Sequence, residues 1–514
     1  MKRLLALILC ITLSLSLFAA CGNTGDSTAI TEFSVGYAKA DITPTDPVPL
    51  RGYGDAMERI SEGYLEPMYA TCVAFADTEG EIVLLISHDL TNSDKFVFDT
   101  CRKQISEETG IPVSHILFTA SHCHSAPDYS QDHPNIAPYL LLVWEQVLKG
   151  AKEAIADLKP ATMETGFTRV DDTNSVRHCL LANGTYQGHN LGPVPQDQFI
   201  GHATKVDNLL QVVKFTRKND KDVILVNWCG HPKAVDKSIY YMAGPNYPGI
   251  LRSELEAMYD CEVSFVLSGS GNVNNHSHID GEFVSRDYVE LGKHLASNVS
   301  NVIENSLTPG KLDKIQLSEN LWKTPNKDGS PITVPLYAFS IGDWACVTAP
   351  FEIFDTNAMA VRDASQFKMT FYASCANEAQ GYLPTPASYS WAITYEAPIS
   401  KYPAGTAELL QEQLIGQLST IFAASGNEVA DKGDDYNTPE FIPASDGATY
   451  LNPSPGKPAT AVANGFYHVV LYKNGTEVKN MLCIDEATSQ KVAAAAEMEL
   501  ILNEQNVIVD VIAK

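Results

Sequence analysis

Four consecutive segments constrain the fold more than anything else in this chain. Residues 81–87 (EIVLLIS) form a continuous apolar run, and residues 94–108 place Val97, Cys101 and Ile105 four apart before Gly110. Residues 115–120 (HILFTA) are apolar again, and Val143, Val147, Ala151, Ala154 and Leu158 then line one face of a segment ending near Pro160. Unbroken apolar runs of this length suit strands buried on both faces, whereas the four-residue spacing suits amphipathic helices. The alternation predicts an α/β domain of mixed sheets with packed helices. Further buried strands are predicted at 223–226, 263–267, 336–341, 344–348 and 369–373.

The two ends of the chain read differently. Lys2 and Arg3 precede an apolar run from Leu4 to Ala20, and Ala19-Ala20 lead into Cys21, the layout of a bacterial lipoprotein signal. Residues 1–20 are then a leader and Cys21 a lipidated residue, so the protein is expected outside the cytoplasm, held to the membrane by that lipid alone. A signal cleaved without lipid attachment is the other possibility. Residues 21–32 form a polar tether, and 33–424 the main domain. From 425 to 460 the chain turns rich in Gly, Pro, Asp, Asn and Ser, a linker or wrapped loop. Residues 461–514 then read as a small α+β unit, with a hairpin around Asn474-Gly475, a helix over about 487–504 and a strand over 507–512.

With 36 Lys+Arg against 62 Asp+Glu, the formal net charge of -26 argues against nucleic acid as a partner. Besides Cys10 and Cys21 there are nine cysteines with no CxxC pair, which reads as buried free thiols and makes a structural zinc knuckle improbable. An odd number leaves at least one unpaired in the monomer.

Groups able to do chemistry collect at strand exits, where α/β sheets bind their ligands. His122-Cys-His124 follows the 115–120 strand, and His231-Pro232 follows VILV and NWCG. Glu352 stands just past Pro350, where a helical pattern begins, and a carboxylate in a first helical turn is stabilised by the helix dipole without any catalytic role. Tyr382 sits in the GYLPT loop after residues 369–373, where packing alone could account for it. Each signal alone is weak. Together, two imidazoles, a carboxylate and a phenol form a nitrogen and oxygen set suited to zinc with one position open.

The ordered set of motifs resembles a known family. The segments VGYAKADITP (35–44), RGY (51–53), LISHD (85–89), HCHSAP (122–127), NWCGHP (227–232), PFE (350–352) and GYLPT (381–385), with Tyr395-Glu396 downstream, are similar in order and rough spacing to the neutral, non-lysosomal ceramidases over residues 33–400. The resemblance implies a zinc-dependent hydrolase of an N-acyl amide, with ceramide or a related lipid amide as substrate. His122, His231, Glu352 and Tyr382 would hold Zn2+, His124 would shuttle the proton, and Tyr395 would face the oxyanion. Where the family carries a serine against the sphingoid headgroup, this chain has Asn274. Asp89 would orient a histidine or cap its loop. The family's C-terminal immunoglobulin-like domain is expected to be missing, because the residues after 425 read as too few and too helical for about seven strands. His276-Ser-His278 is a second HxH outside the family pattern, either a further metal site or a solvated loop.

Rival chemistries lack their motifs. A metallo-β-lactamase HxHxDH fails after His124, and Ser268-Gly-Ser270-Gly271 is not a GxSxG elbow; close backbone packing explains its glycines better. The alternative from another class is a surface lipoprotein that binds a ligand through a degenerate constellation. Zinc content separates the two.

Overall fold

The structure is a computed structural model that describes residues 30–233, 238–279, 282–433 and 435–514. The expected leader and Cys21 lie outside the described residues. A nine-stranded mixed sheet dominates, built from β1 (Ser34–Asp41), β2 (Tyr69–Ala76), β3 (Ile82–His88), β4 (Ile116–Ala120), β5 (Lys159–Arg169), β6 (Leu209–Arg217), β7 (Val223–Trp228), β8 (Glu262–Leu267) and β9 (Thr308–Gly310). The order is β8-β7-β6-β5-β1-β2-β3-β4, and β9 pairs with β5 off this path. Most neighbours are antiparallel; β3 with β4 and β7 with β8 are parallel.

Both faces of this sheet are apolar, as the unbroken runs require. Alternate residues of β1 to β3 (Ala38, Cys72, Ala74, Leu84, Ile86) meet Val97, Phe98 and Cys101 of α1 (Lys95–Thr109) and Val143, Val147 and Ala151 of α2 (Ile136–Ala156). The intervening residues (Val35, Val73, Phe75, Val83, Leu85) face a four-stranded sheet and pack with Phe339, Trp344 and Phe371. That second sheet runs β10 (Ile315–Pro325), β11 (Pro331–Ile341), β12 (Trp344–Thr348), β13 (Met369–Ala373), the last pair parallel. The far half of the large sheet is covered by α3 (Asn246–Tyr259) and α4 (Tyr288–Asn305), and the outer face of the second sheet by α5 (Asp355–Ala364) and α6 (Thr406–Ser425). Each large side chain so buried contributes about 1.5–3 kcal/mol. Among the described residues no helix is long and apolar enough to cross a membrane.

The two sheets lock together where their parallel strands end. Asn227 of β7 donates to Tyr372 O of β13 (3.1 Å), Ser374 N donates to Leu267 O of β8 (2.9 Å), and Asn377 N donates to Phe118 O of β4 (2.9 Å). The carboxyl ends of β4, β7, β8, β12 and β13 therefore open at one place.

Three expectations change. Glu352 is not in a helix: Glu352–Ile353 is a short strand paired in parallel with Tyr382–Leu383, and α5 starts only at Asp355. The helix expected over 487–504 ends at Ala494 (α7, Glu486–Ala494), and Glu497–Leu502 is a strand. Individually these are good helix formers, but Met498 and Leu500 alternate inward and pair with Ile508–Ala513, a partner no local pattern announces. Third, pieces of the 425–460 run (Ala444–Ser445, Tyr450–Leu451, Thr460–Ala461) pair into a seven-stranded C-terminal sheet, so the residues after 425 are neither too few nor too helical for seven strands. That sheet packs on the main domain through Phe466, Leu482 and Val507 against Val176, Leu180 and Ile200. All nine cysteines among the described residues are buried free thiols.

Candidate metal and catalytic centre

At the β4 exit the chain turns sharply. His122 adopts a left-handed backbone (φ 62°) and its N–H donates to Leu90 O (3.0 Å), a conformation that costs a non-glycine residue energy and is retained where surrounding contacts hold it. The turn aims the His122 ring inward, and its Nδ1 donates to Thr91 O (2.6 Å). His231, after β7, is set in the same way, with Nδ1 donating to Ser270 O (3.1 Å) beyond β8. With both Nδ1 atoms committed as donors, both Nε2 lone pairs turn to a common centre, the arrangement found around metal-bound imidazoles. Asp89 does not orient a histidine: its carboxylate pairs with Arg252 (2.7 Å) and accepts from Tyr69 N.

His122, His124 and His231 form the group of metal-capable side chains among the described residues, with one ligand atom from each within 4.8 Å of the others. Ring centroids are 4.7–5.2 Å apart, and His124 Nε2 lies 2.9 Å from His231 Nε2. Glu352 Oε2 is 3.2 Å from His122 Nε2, and the Tyr382 hydroxyl bonds to Glu352. Tyr395 OH donates to Tyr382 OH (2.9 Å). His122, His124, His231, Glu352, Tyr382 and Tyr395 are thus continuous in space. Asn274 is less central: it is buried, its amide Nδ2 is 3.5 Å from His276 Nε2, and its Oδ1 has no partner. The neighbouring Asn275, by contrast, donates to His231 O.

Two glycines are required by this packing. A Cβ on Gly52, whose φ is +116°, would meet His124 Cβ at 2.5 Å, and one on Gly271 would meet Glu352 O at 2.4 Å. The glycine-rich run at 269–271 is therefore a close backbone approach, as expected.

Charge is divided within the cluster. Burial lowers the pKa of His124 and His231 well below the ordinary value, and His122 lowers both further, so both are neutral. Burial also opposes charge on His122, but Cys375 and Glu352 override it and hold His122 well above the ordinary range. Burial raises Glu352, yet His122 and the Tyr382 hydrogen bond bring it below its usual value. A cation in this centre would take the place of the proton shared by His122 and Glu352. The buried His122 Nε2 meets the Glu352 carboxylate at 3.2 Å, and imidazole nitrogens with carboxylate and phenol oxygens are a zinc-type donor set, so the residues fit such an ion.

Several residues here carried no sequence signal. Arg177 is buried, donates to Glu396 through Nε and to Gly271 O, and lies 5.6 and 5.8 Å from the Tyr382 and Tyr395 rings. His178 Nε2 donates to the other Glu396 oxygen (2.9 Å). Lys233 lies two residues past His231, and burial, with Arg177 adding, pushes its ammonium down to about 7.

The fold is similar to that of two solved structures, the neutral ceramidase from Pseudomonas aeruginosa (TM-score 0.62, 15% identity) and a ceramidase complexed with C2 (TM-score 0.62, 14% identity). Each likeness covers 86% of this chain and 84% of the other. No protein-family model and no curated protein matches the sequence. At such identity the likeness establishes a ceramidase-like fold.

Proposed function

We propose that this chain is a zinc-dependent amidohydrolase that cleaves the N-acyl bond of a lipid amide. The observation that carries the proposal is the convergence of His122, His124 and His231 with Glu352 and the Tyr382–Tyr395 pair at the strand exits of a ceramidase-like fold. His122, His231, Glu352 and Tyr382 are the residues that would hold zinc. Zinc bound there supplies Lewis-acid chemistry, polarising a carbonyl and making water acidic enough to attack near neutral pH.

The chain's own groups supply the rest. His124, neutral and with a buried Nδ1 free of partners, can accept the proton of the attacking water and return it to the departing amine. The Tyr395 hydroxyl can turn from Tyr382 to the oxyanion, a donor worth about 2.7–4 kcal/mol in a comparable setting. Arg177, fixed by Glu396 and lying near both phenol rings, favours negative charge on that side of the site. Localisation is part of the same proposal: Cys21 carries the lipid that anchors the protein outside the cytoplasm, and a Cys21→Ala protein that stays in the membrane fraction contradicts this.

Fatty-acid release from a panel of N-acyl lipids, with and without chelator, tests the activity. Release abolished by chelator and restored by zinc is expected. Release that a chelator leaves intact, or none from any member of the panel, contradicts the proposal.

A further inference from the structure

The rings of His122 and His231 are each fixed by a hydrogen bond from Nδ1, to Thr91 O (2.6 Å) and to Ser270 O (3.1 Å). His124 has no such bond, because its Nδ1 is buried and without a partner. The imidazole that moves the proton in the amidohydrolase proposal is therefore held by other means. Packing supplies part of the hold. The ring lies against the loop at 51–53, where a Cβ on Gly52 would meet His124 Cβ and Cγ at 2.5 Å and the Tyr53 ring stands edge-on, 5.3 Å between centroids. Tyr53 OH donates to Lys233 O and His124 N donates to Pro232 O (2.9 Å), so loop and histidine are both tied to the turn after His231.

Arg59 fastens this wall to the residue it encloses. The arginine is 1% exposed. Its Nη1 donates to Arg51 O (2.9 Å) and to His124 O (2.6 Å), and its Nε donates to Tyr240 O (2.7 Å). The guanidinium carbon lies 5.0 Å from the centre of the Tyr53 ring and 4.6 Å from that of Tyr240. One side chain thus joins three separate loops. Its partners are carbonyls and ring faces, with no carboxylate among the described residues, and its Nη2 is buried without a partner. Taking a cation out of water without a counter-ion is costly, and a methionine would fill the slot between the two rings without that penalty. What arginine adds is a rigid fork of donors, able to hold several carbonyls in a fixed relation.

We propose that Arg59 is a positioning residue for proton transfer: by binding Arg51 O and His124 O together, it holds the His124 imidazole with its Nε2 turned to the metal centre and its Nδ1 unbonded. This rests on the amidohydrolase proposal and deepens it. Arg59 touches none of the candidate ligand atoms, so its removal acts on kcat and leaves zinc in place.

Arg59→Met keeps an apolar stem between the two rings and removes the donors; it is compared with Arg59→Lys and wild type in zinc content, melting temperature, kcat and KM on the best substrate of the N-acyl lipid panel. Arg59→Met is expected to keep its zinc and its KM and to lose kcat about 10²-fold, the effect of misplacing a reacting group by about 1 Å. Arg59→Lys, which keeps a donor, is expected to regain part of that loss. A lower melting temperature with unchanged kcat per zinc-loaded chain overturns the proposal, and so does zinc lost in step with activity. A readout independent of activity is ring-¹⁵N histidine NMR of chelator-treated protein, with His124→Asn assigning the signals. Arg59→Met is expected to shift and broaden the His124 signals while those of the buried His88 and His178 stay in place; unchanged His124 signals overturn the proposal. If no amide is cleaved, the amidohydrolase proposal has failed and the NMR comparison alone decides this one. If Arg59→Met does not fold, Arg59→Lys and Tyr53→Phe, which gives up the bond to Lys233 O, replace it under the same criteria.

Discussion

Replacing Glu396 by Gln isolates the buried charge network beneath the tyrosine pair. The substitution keeps volume and one acceptor but removes the charge that faces Arg177 and His178. Arg177 and Glu396 side chains are only 2% and 1% exposed, so the guanidinium cannot recover its hydration and is left uncompensated. Breaking a buried pair from one side costs about 3–5 kcal/mol, a large share of the roughly 5–15 kcal/mol that stabilises a typical protein. Removing both charges in Arg177→Met/Glu396→Gln should cost clearly less than the two single losses added together. The effect also has a pH signature. Burial raises the Glu396 carboxyl, but Arg177 and His178 outweigh it and hold its pKa far below the ordinary value. A depressed acid contributes stability that is present above the unfolded pKa near 4.3 and lost as pH falls below it. Wild type and Glu396→Gln should therefore differ most at neutral pH and converge on acidification. Denaturant unfolding at pH 7 and at about pH 2.5 measures this, since most of the loss lies below the unfolded pKa; a difference under 1 kcal/mol at pH 7, or one independent of pH, refutes the reasoning.

Asp355 behaves in the opposite sense: burial, with Asp207 nearby, raises it to about 7, so it favours folding while protonated and that contribution fades as pH rises from about 4 through 7. Asp355→Asn should flatten the decline in stability over this window, which spans at most about 4 kcal/mol; an unaltered pH profile contradicts the assignment. Gly271→Ala should cost about 1–3 kcal/mol and weaken metal retention, because its Cβ would strike Glu352 O at 2.4 Å; a variant with wild-type stability and metal content contradicts that packing. Tyr395→Phe should lower kcat about 10²–10³-fold with little change in KM. Thiol titration should find the nine cysteines unreactive in the native protein and all nine reactive in denaturant, whereas rapid native labelling would contradict their burial.

The sequence made the strand exits legible because β3, β4, β7, β8 and β12 are short apolar runs whose signal is local. It identified His122, His124, His231, Glu352, Tyr382 and Tyr395 only as a set, since nothing local says that residues more than 200 positions apart meet. What it missed is non-local or resides in the backbone. The carbonyls of Thr91 and Ser270 orient two imidazoles, yet carbonyls leave no trace in composition. Glu352 reads as the first turn of a helix until Tyr382–Leu383 is seen to pair beside it. Arg177 is a single charged residue of a kind common on surfaces, and only its buried pairing with Glu396 marks it.

The most direct test of the central claim is metal content by mass spectrometry on purified wild type, His122→Ala and His231→Ala, each checked for folding by circular dichroism. About one zinc per chain in the wild type and little in either folded variant is the expected result. A folded wild type without metal after incubation with zinc, or variants that keep a full equivalent, would show that these side chains do not form a metal centre.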